Sequence, residues 1–187
     1  MTEKTDLRVK KTYMALNKSF EELLKHKDFC DITVNEICEN AMVSRGTFYI
    51  HFTGKYDFSS FFLCKKVTDC LNKTQDETHT DNLCEYYKTF FNNFIETLKA
   101  YNYNFKLADN STAMGIAFSP VNNAYNMLLS KLQVCYPDNY KLNRFMAKYL
   151  AVALILIIFD LTQNDNHSSD EIKESMSVLL EKLFAYE

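Results

Sequence analysis

The sequence predicts an all-α protein of about nine helices, and three observations carry that prediction. Only three Gly and two Pro interrupt 187 residues, at Gly46, Gly54, Gly115, Pro120 and Pro137, so few points force the chain out of a helix. Apolar residues recur at three- and four-residue spacing, as in Val9, Tyr13, Leu16, Phe20 and Leu23, the stripe of an amphipathic helix. No stretch sustains the two-residue alternation of a half-buried strand. The length suffices for one large or two small domains with a real core.

The first helix is read over Asp6 to Lys27, until "DFCDI" breaks the pattern. Thr33 stands three residues before Glu36, a capping box that opens a short second helix from Val34 to about Asn40. "AMV" turns the chain, and Ser44 supplies a hydroxyl to cap a third helix. Val43 before that cap and Phe48 within the helix form a hydrophobic staple. Two short helices across a tight turn make a helix-turn-helix. Gly54 and Lys55 open a longer helix to about Lys73, and "TQDETHTD" is a polar connector. Leu83 to Tyr101 is an aromatic-rich helix. A short helix is expected after it, then a loop around Asp109 to Gly115. Further helices are expected over Pro120 to Cys135, Tyr140 to Thr162 and Ser169 to Tyr186. Ser168 with Glu171 makes a second capping box, and Ile172, Met176, Leu179 and Leu183 form the stripe of the last helix.

The third helix, from Arg45 to Phe52, carries the functional signal. Successive residues step by about 100°, so Phe48 and Phe52 share the inward side. Gly46 and Ile50 then face outward, flanked by Thr47 and Tyr49. An exposed Gly costs a helix about 1 kcal/mol relative to Ala, and an exposed Tyr–Ile pair costs solubility, so this face needs something to lie against. A helix-turn-helix lays its second helix in the DNA major groove. There Gly46 allows close approach, Ile50 meets a thymine methyl, and Arg45 reaches a guanine or the backbone. Thr47 reaches a base or a phosphate, and Tyr49 and His51 reach phosphates. Lys55, at the next helix start, and Thr33, at the preceding one, hold phosphates. His51 reads equally as a packing histidine.

"ITVNEICENAMVSRGTFYIHFTGKYDF" resembles the DNA-binding domain of the TetR family of bacterial transcriptional regulators. Thr33, Val34, Ala41, Val43, Ser44, Arg45, Gly46, Thr47, Tyr49, His51, Phe52 and Lys55 match that family's pattern in order. The resemblance covers the first third of the chain. Met42 departs from it, standing where the family usually has Gly. The resemblance implies a helix-turn-helix domain over residues 1–54 and a helical regulatory and dimerising domain over 55–187. It implies a homodimer built through the last two helices, a palindromic double-stranded DNA operator, repression, and release by a ligand in the C-terminal domain.

Net charge is -3. Residues 1–58 hold nine Lys/Arg and nine Asp/Glu, so DNA binding would rest on placement rather than bulk charge; Lys4, Arg8, Lys10 and Lys11 do cluster. The six Cys, at 30, 38, 64, 70, 84 and 135, form no C-x-x-C pair and match no zinc spacing, so they read as reduced thiols in a cytoplasm. Asp76, Glu77, His79 and Asp81 read as a solvated loop rather than a metal site. "YLAVALILIIF" is eleven residues, too short for the about 20 a bilayer needs, and reads as a buried helix. No phosphate loop, nucleophile elbow or H-E-x-x-H occurs, so no enzyme, cofactor, metal or membrane is expected. The aromatic face of residues 86–105 reads more often as core than as pocket, while the family resemblance implies a cavity there that would suit an apolar or cationic ligand. Two other readings stay open: a regulator, repressor or activator, switched by a protein partner, and a non-DNA ligand-binding or interaction module of the same fold.

Overall fold

Eight α-helices and one 3-10 turn make up the described part of a computed structural model, which covers residues 3–78, 82–100, 110–162 and 168–185. No strand occurs among these residues. The short helix expected within 101–108, and His79, Asp81 and His167, lie outside them.

Helix α1 runs Glu3–Leu24, followed by the 3-10 turn Phe29–Asp31, α2 at Val34–Asn40 and α3 at Arg45–His51. Helix α4 runs Lys55–Glu77, α5 Leu83–Lys99, α6 Asn110–Cys135, α7 Tyr140–Thr162 and α8 Ser169–Phe184. Both expected capping boxes form, Thr33 with Glu36 and Ser168 with Glu171.

Two buried clusters hold the helices. The first gathers Leu16, Phe20 and Leu24 of α1, Phe29 and Ile32, Ile37 and Cys38 of α2, and Phe48 and Phe52 around α3. Phe58, Phe62 and Leu63 at the start of α4 close it. Aromatic edges dominate: Phe20 meets Phe62 at 5.0 Å and Phe58 at 5.3 Å between centroids, spacings at which edge-to-face pairs add about 1 kcal/mol each. The second cluster lies among α4 to α8 and includes Tyr86, Tyr87, Phe90, Phe91 and Phe94 of α5. The aromatic face of α5 is therefore core over its described length.

Three expectations need correction. Helix α4 continues past Lys73 to Glu77, because Thr74 is buried, donates its hydroxyl to the Cys70 carbonyl and receives Asn93 Nδ2 from α5. The loop expected around 109–115 is helical from Asn110, and Pro120 lies inside α6. A proline removes one N–H bond, here to the carbonyl four residues earlier, and packing on both sides offsets that loss: Ile116 is buried in the first cluster, while Pro120 is itself buried. In α8 the buried residues are Ile172, Leu180 and Phe184, whereas Leu179 and Leu183 stay exposed. Phe184 stacks on Tyr87 at 5.7 Å, which sets that rotation of the helix.

Helix α7 is not covered all round. Phe145, Tyr149, Val152 and Leu156 are exposed, with Leu156 at 57 %. Among the described residues, no helix is long and apolar enough to cross a membrane.

Met42 has φ 53°, the left-handed region that costs a non-Gly residue about 1–2 kcal/mol. Its side chain is 94 % exposed, so little packing offsets the strain. Met42→Gly is expected to stabilise the protein by about 1 kcal/mol, net of glycine's extra unfolded-state entropy. A urea transition with a raised midpoint and unchanged slope would show this; an unmoved midpoint would mean the turn carries no strain.

Candidate nucleic-acid interface

The local sequence builds the recognition unit from two caps and one strained residue. Thr33 Oγ1 accepts from Glu36 N at 3.2 Å, and Glu36 Oε2 accepts from Thr33 N at 2.9 Å. Glu36 is also held by the Lys27 ammonium. That hydrogen bond, with those from Thr33, pulls its carboxyl down to about 2. After α2, Met42 N donates to Glu39 O at 3.1 Å and Val43 N to Cys38 O at 2.9 Å, which closes the tight turn. Ser44 Oγ then accepts from Thr47 N at 3.0 Å and pairs with Thr47 Oγ1 at 2.8 Å. Val43 packs against the cluster that holds Phe48.

Phe48 is fully buried and Phe52 nearly so, while Tyr49 is 49 % and Ile50 78 % exposed. Arg45 and Gly46 are exposed and Thr47 and His51 half-buried. Gly46 has no positive φ, and a Cβ placed on it would meet only Ser44 Oγ, at 3.8 Å. The fold therefore has room for alanine at Gly46. A helix residue that costs about 1 kcal/mol without an internal need points to close approach from outside.

The polar candidates differ in how free they are. The Thr33 hydroxyl is taken by its capping box, donating to Glu36 Oε2 at 2.9 Å as well as accepting. Ser44 and Thr47 satisfy each other. Lys55 turns inward: its ammonium donates to Phe29 O at 2.9 Å and Cys30 O at 3.0 Å, and sits 4.6 Å over the Phe29 ring. Burial lowers its pKa. In this state Lys55 ties the 3-10 turn to the start of α4 rather than reaching out. His51 Nδ1 lies 3.3 Å from the Tyr13 hydroxyl.

Tyr56, passed over in the sequence, is 50 % exposed in the first turn of α4. Its signal was an aromatic directly after Lys55. The charge balance is also uneven in space. Among the acids of residues 1–58, Glu22 is paired with Lys25, Glu36 with Lys27 and Glu21 with Lys66. Asp57 accepts from Thr53 N and Oγ1. Helix α3 itself carries Arg45 and His51 and no carboxylate. Among the described residues, no group of three or more His, Cys, Asp or Glu could hold a metal ion.

The profile of the family described as bacterial regulatory proteins, tetR family, matches residues 21–58. Solved structures share the fold along nearly the whole chain. The TetR family repressor AlkX from Dietzia sp. strain DQ12-45-1b, implicated in biodegradation of n-alkanes, superposes with a TM-score of 0.67 at 13 % identity, over 91 % of this chain and 94 % of that one. The fatty acid degradation regulator FadR from Bacillus halodurans gives 0.57 at 14 % identity, over 90 % and 94 %. FadR from Bacillus subtilis, solved in complex with stearoyl-CoA, gives 0.51 at 14 % identity, over 90 % and 97 %. No curated protein matches the sequence. The segment that matches the tetR-family profile holds the helix-turn-helix just described, and the solved structures share the fold onward through α8.

Proposed function

We propose that the chain binds a palindromic operator as a homodimer, represses transcription there, and is released by an apolar ligand in its C-terminal domain. One observation carries the DNA reading: α3 presents Arg45, Gly46, Tyr49 and Ile50 to solvent on a helix whose other side is locked in the core. Thr33, Ser44, Thr47, His51 and Lys55 complete the contact set, and Lys55 reaches a phosphate only by leaving the Phe29 and Cys30 carbonyls. A division into residues 1–54 and 55–187 belongs to this reading, with α4 lending its first two turns to the N-terminal core. So does a place in the cytoplasm.

Dimerisation is supported by the uncovered faces of the last two helices. Phe145, Tyr149, Val152 and Leu156 lie at spacings of four, three and four on α7, with Val178, Leu179 and Leu183 exposed on α8. Such an apolar stripe fits a four-helix interface, and a two-fold dimer matches a palindrome.

The ligand reading rests on a small cavity of about 20 Å³ among α4, α5, α6 and α7. Leu63, Val67, Phe94, Pro120, Leu154 and Ile158 line it, without a polar group. It fits an apolar chain better than a cation, and a fatty-acyl group is the class that FadR with stearoyl-CoA brings to mind. The cavity must open to admit one. Pro120 lines it, and Ile116, four residues earlier on α6, is buried in the N-terminal core. Widening the cavity at Pro120 would move Ile116 against the helix-turn-helix. Release requires the ligand to bind the two states with different affinity. The cavity's small size supports a second reading, in which a protein partner supplies the trigger.

The test is binding to a duplex from the chain's own upstream region, against scrambled DNA of equal length, at two salt concentrations. Tight binding to the native duplex alone, lost in Tyr49→Ala, is the expected result. Equal, steeply salt-dependent binding to both duplexes would reduce the site to backbone contacts, and no binding would sink the DNA reading.

A further inference from the structure

Tyr13 belongs to the stripe that α1 buries, yet it does more than fill space. Its hydroxyl lies 3.3 Å from Nδ1 of His51, 38 residues away on α3. The two rings meet edge to face at 5.1 Å between centroids. Tyr13 also leans on Phe52 at 5.6 Å and on Phe61 of α4 at 5.0 Å. Three neighbouring rings, from the end of α3 and from α4, thus hold its ring, and its one polar atom is brought to His51, the basic side chain in the last turn of α3.

The two nitrogens of an imidazole are not equivalent. The hydrogen bond made at one sets which of them carries the proton. A phenol hydroxyl can donate, and a neutral imidazole has one nitrogen that accepts. A phosphate oxygen only accepts, so a neutral His51 can hold a phosphate only through an N–H that points outward. With the hydroxyl donating to Nδ1, the proton stays on Nε2, the nitrogen left for DNA. With the reverse arrangement, Nδ1–H donating to the phenol oxygen, Nε2 becomes an acceptor and is useless to a phosphate.

We propose that Tyr13 is a positioning residue for DNA binding: its hydroxyl donates to His51 Nδ1 and presents Nε2–H to the phosphate backbone. The inference rests on the DNA reading above. It assigns a polar role to a residue that touches no DNA. It also explains why a half-buried histidine sits in a pocket of aromatic rings with one nitrogen engaged.

The experiment uses the full-length protein and two readouts. The first is the tautomer of His51 in the free protein, from nitrogen-15 histidine spectra at a pH where the ring is neutral. The second is affinity for the upstream duplex as a function of salt. Wild-type protein is expected to carry the proton on Nε2, and Tyr13→Phe, which keeps the ring packing, to show a mixture of tautomers. Tyr13→Phe should bind DNA about fivefold more weakly, with a salt slope smaller by up to about 0.9, one phosphate contact. His51→Ala should lose as much, and the double variant no more than His51→Ala alone. His51→Gln, which carries an amide N–H near the place of Nε2, should retain most of the affinity and be indifferent to Tyr13→Phe. A wild-type ring protonated on Nδ1, or losses that add in the double variant, would overturn the proposal. Wild-type binding that Tyr13→Phe leaves unchanged would overturn it and spare the DNA reading. Wild-type protein that binds neither native nor scrambled duplex overturns both.

Discussion

Leu156→Glu is expected to turn a dimer into a monomer and to abolish tight binding to a two-half-site operator. Leu156 is 57 % exposed in the single chain, on a helix that also exposes Phe145, Tyr149 and Val152 along one stripe. Helix α8 exposes Val178, Leu179 and Leu183. A mainly apolar groove lined by Ala153, Leu156, Ile157, Ile172, Met176 and Leu179, with Glu171 and Ser175 also on its wall, joins the two helices. Exposed faces of this kind mark protein contacts. A carboxylate buried without a partner in such an interface costs several kcal/mol; about 4 kcal/mol is a thousandfold in the dimer constant. Sedimentation equilibrium over a range of concentrations would read it. Val134→Glu, at a residue of α6 that is 79 % exposed, is the control and should leave the dimer intact. A wild-type monomer at tens of micromolar, or a control as disruptive as Leu156→Glu, would refute the assignment. Loss of DNA affinity in step with loss of the dimer would tie the interface to the palindrome.

Much of the fold was legible because its punctuation is local. The Thr33–Glu36 and Ser168–Glu171 capping boxes form as expected, since a cap depends on residues three apart and little else. The outward face of α3 was equally readable. Phe48 and Phe52 are buried while Tyr49 and Ile50 stay exposed, because a two-turn helix has a single way to point two phenylalanines inward. The scarcity of glycine and the lack of two-residue alternation signalled an all-helical chain.

What was not legible depended on partners far away in sequence. Pro120 reads as a helix start, but it lies inside α6 because Ile116 reaches the N-terminal core. Lys55 reads as a free cation, yet two carbonyls 25 and 26 residues earlier capture it. The stripe Ile172, Met176, Leu179 and Leu183 has the right period, but stacking of Phe184 on Tyr87 rotates α8 so that only part of it is buried. The remainder then shows up as the exposed face. Met42 was visible as a departure from the family pattern, and its left-handed backbone confirms what a glycine there would relieve. The tie from Tyr13 to His51 joins positions 38 apart and left no trace in the spacing of α1, where Tyr13 has the place of an ordinary core residue.

Phe48→Ala is expected to destabilise the protein by about 3–5 kcal/mol, enough to unfold a marginal helix-turn-helix at ambient temperature. Phe48 is fully buried. Its ring lies 5.4 Å from Phe52 and 5.7 Å from Phe58, so truncation leaves a cavity walled by rigid rings that cannot collapse into it. The same ring meets Tyr49 at 5.4 Å, which means the anchor of α3 also supports the residue it presents. Ile50→Ala makes the contrast, two residues along the same helix. Ile50 is 78 % exposed, so its loss should change stability by no more than about 0.5 kcal/mol. It should nonetheless weaken binding to the upstream duplex by removing an apolar contact with a base. Denaturant unfolding and duplex binding measured on both variants separate the two faces of α3. If Phe48→Ala is mild, the N-terminal core is not what holds the recognition helix. If Ile50→Ala costs stability and leaves binding untouched, the outward face packs on protein instead of DNA.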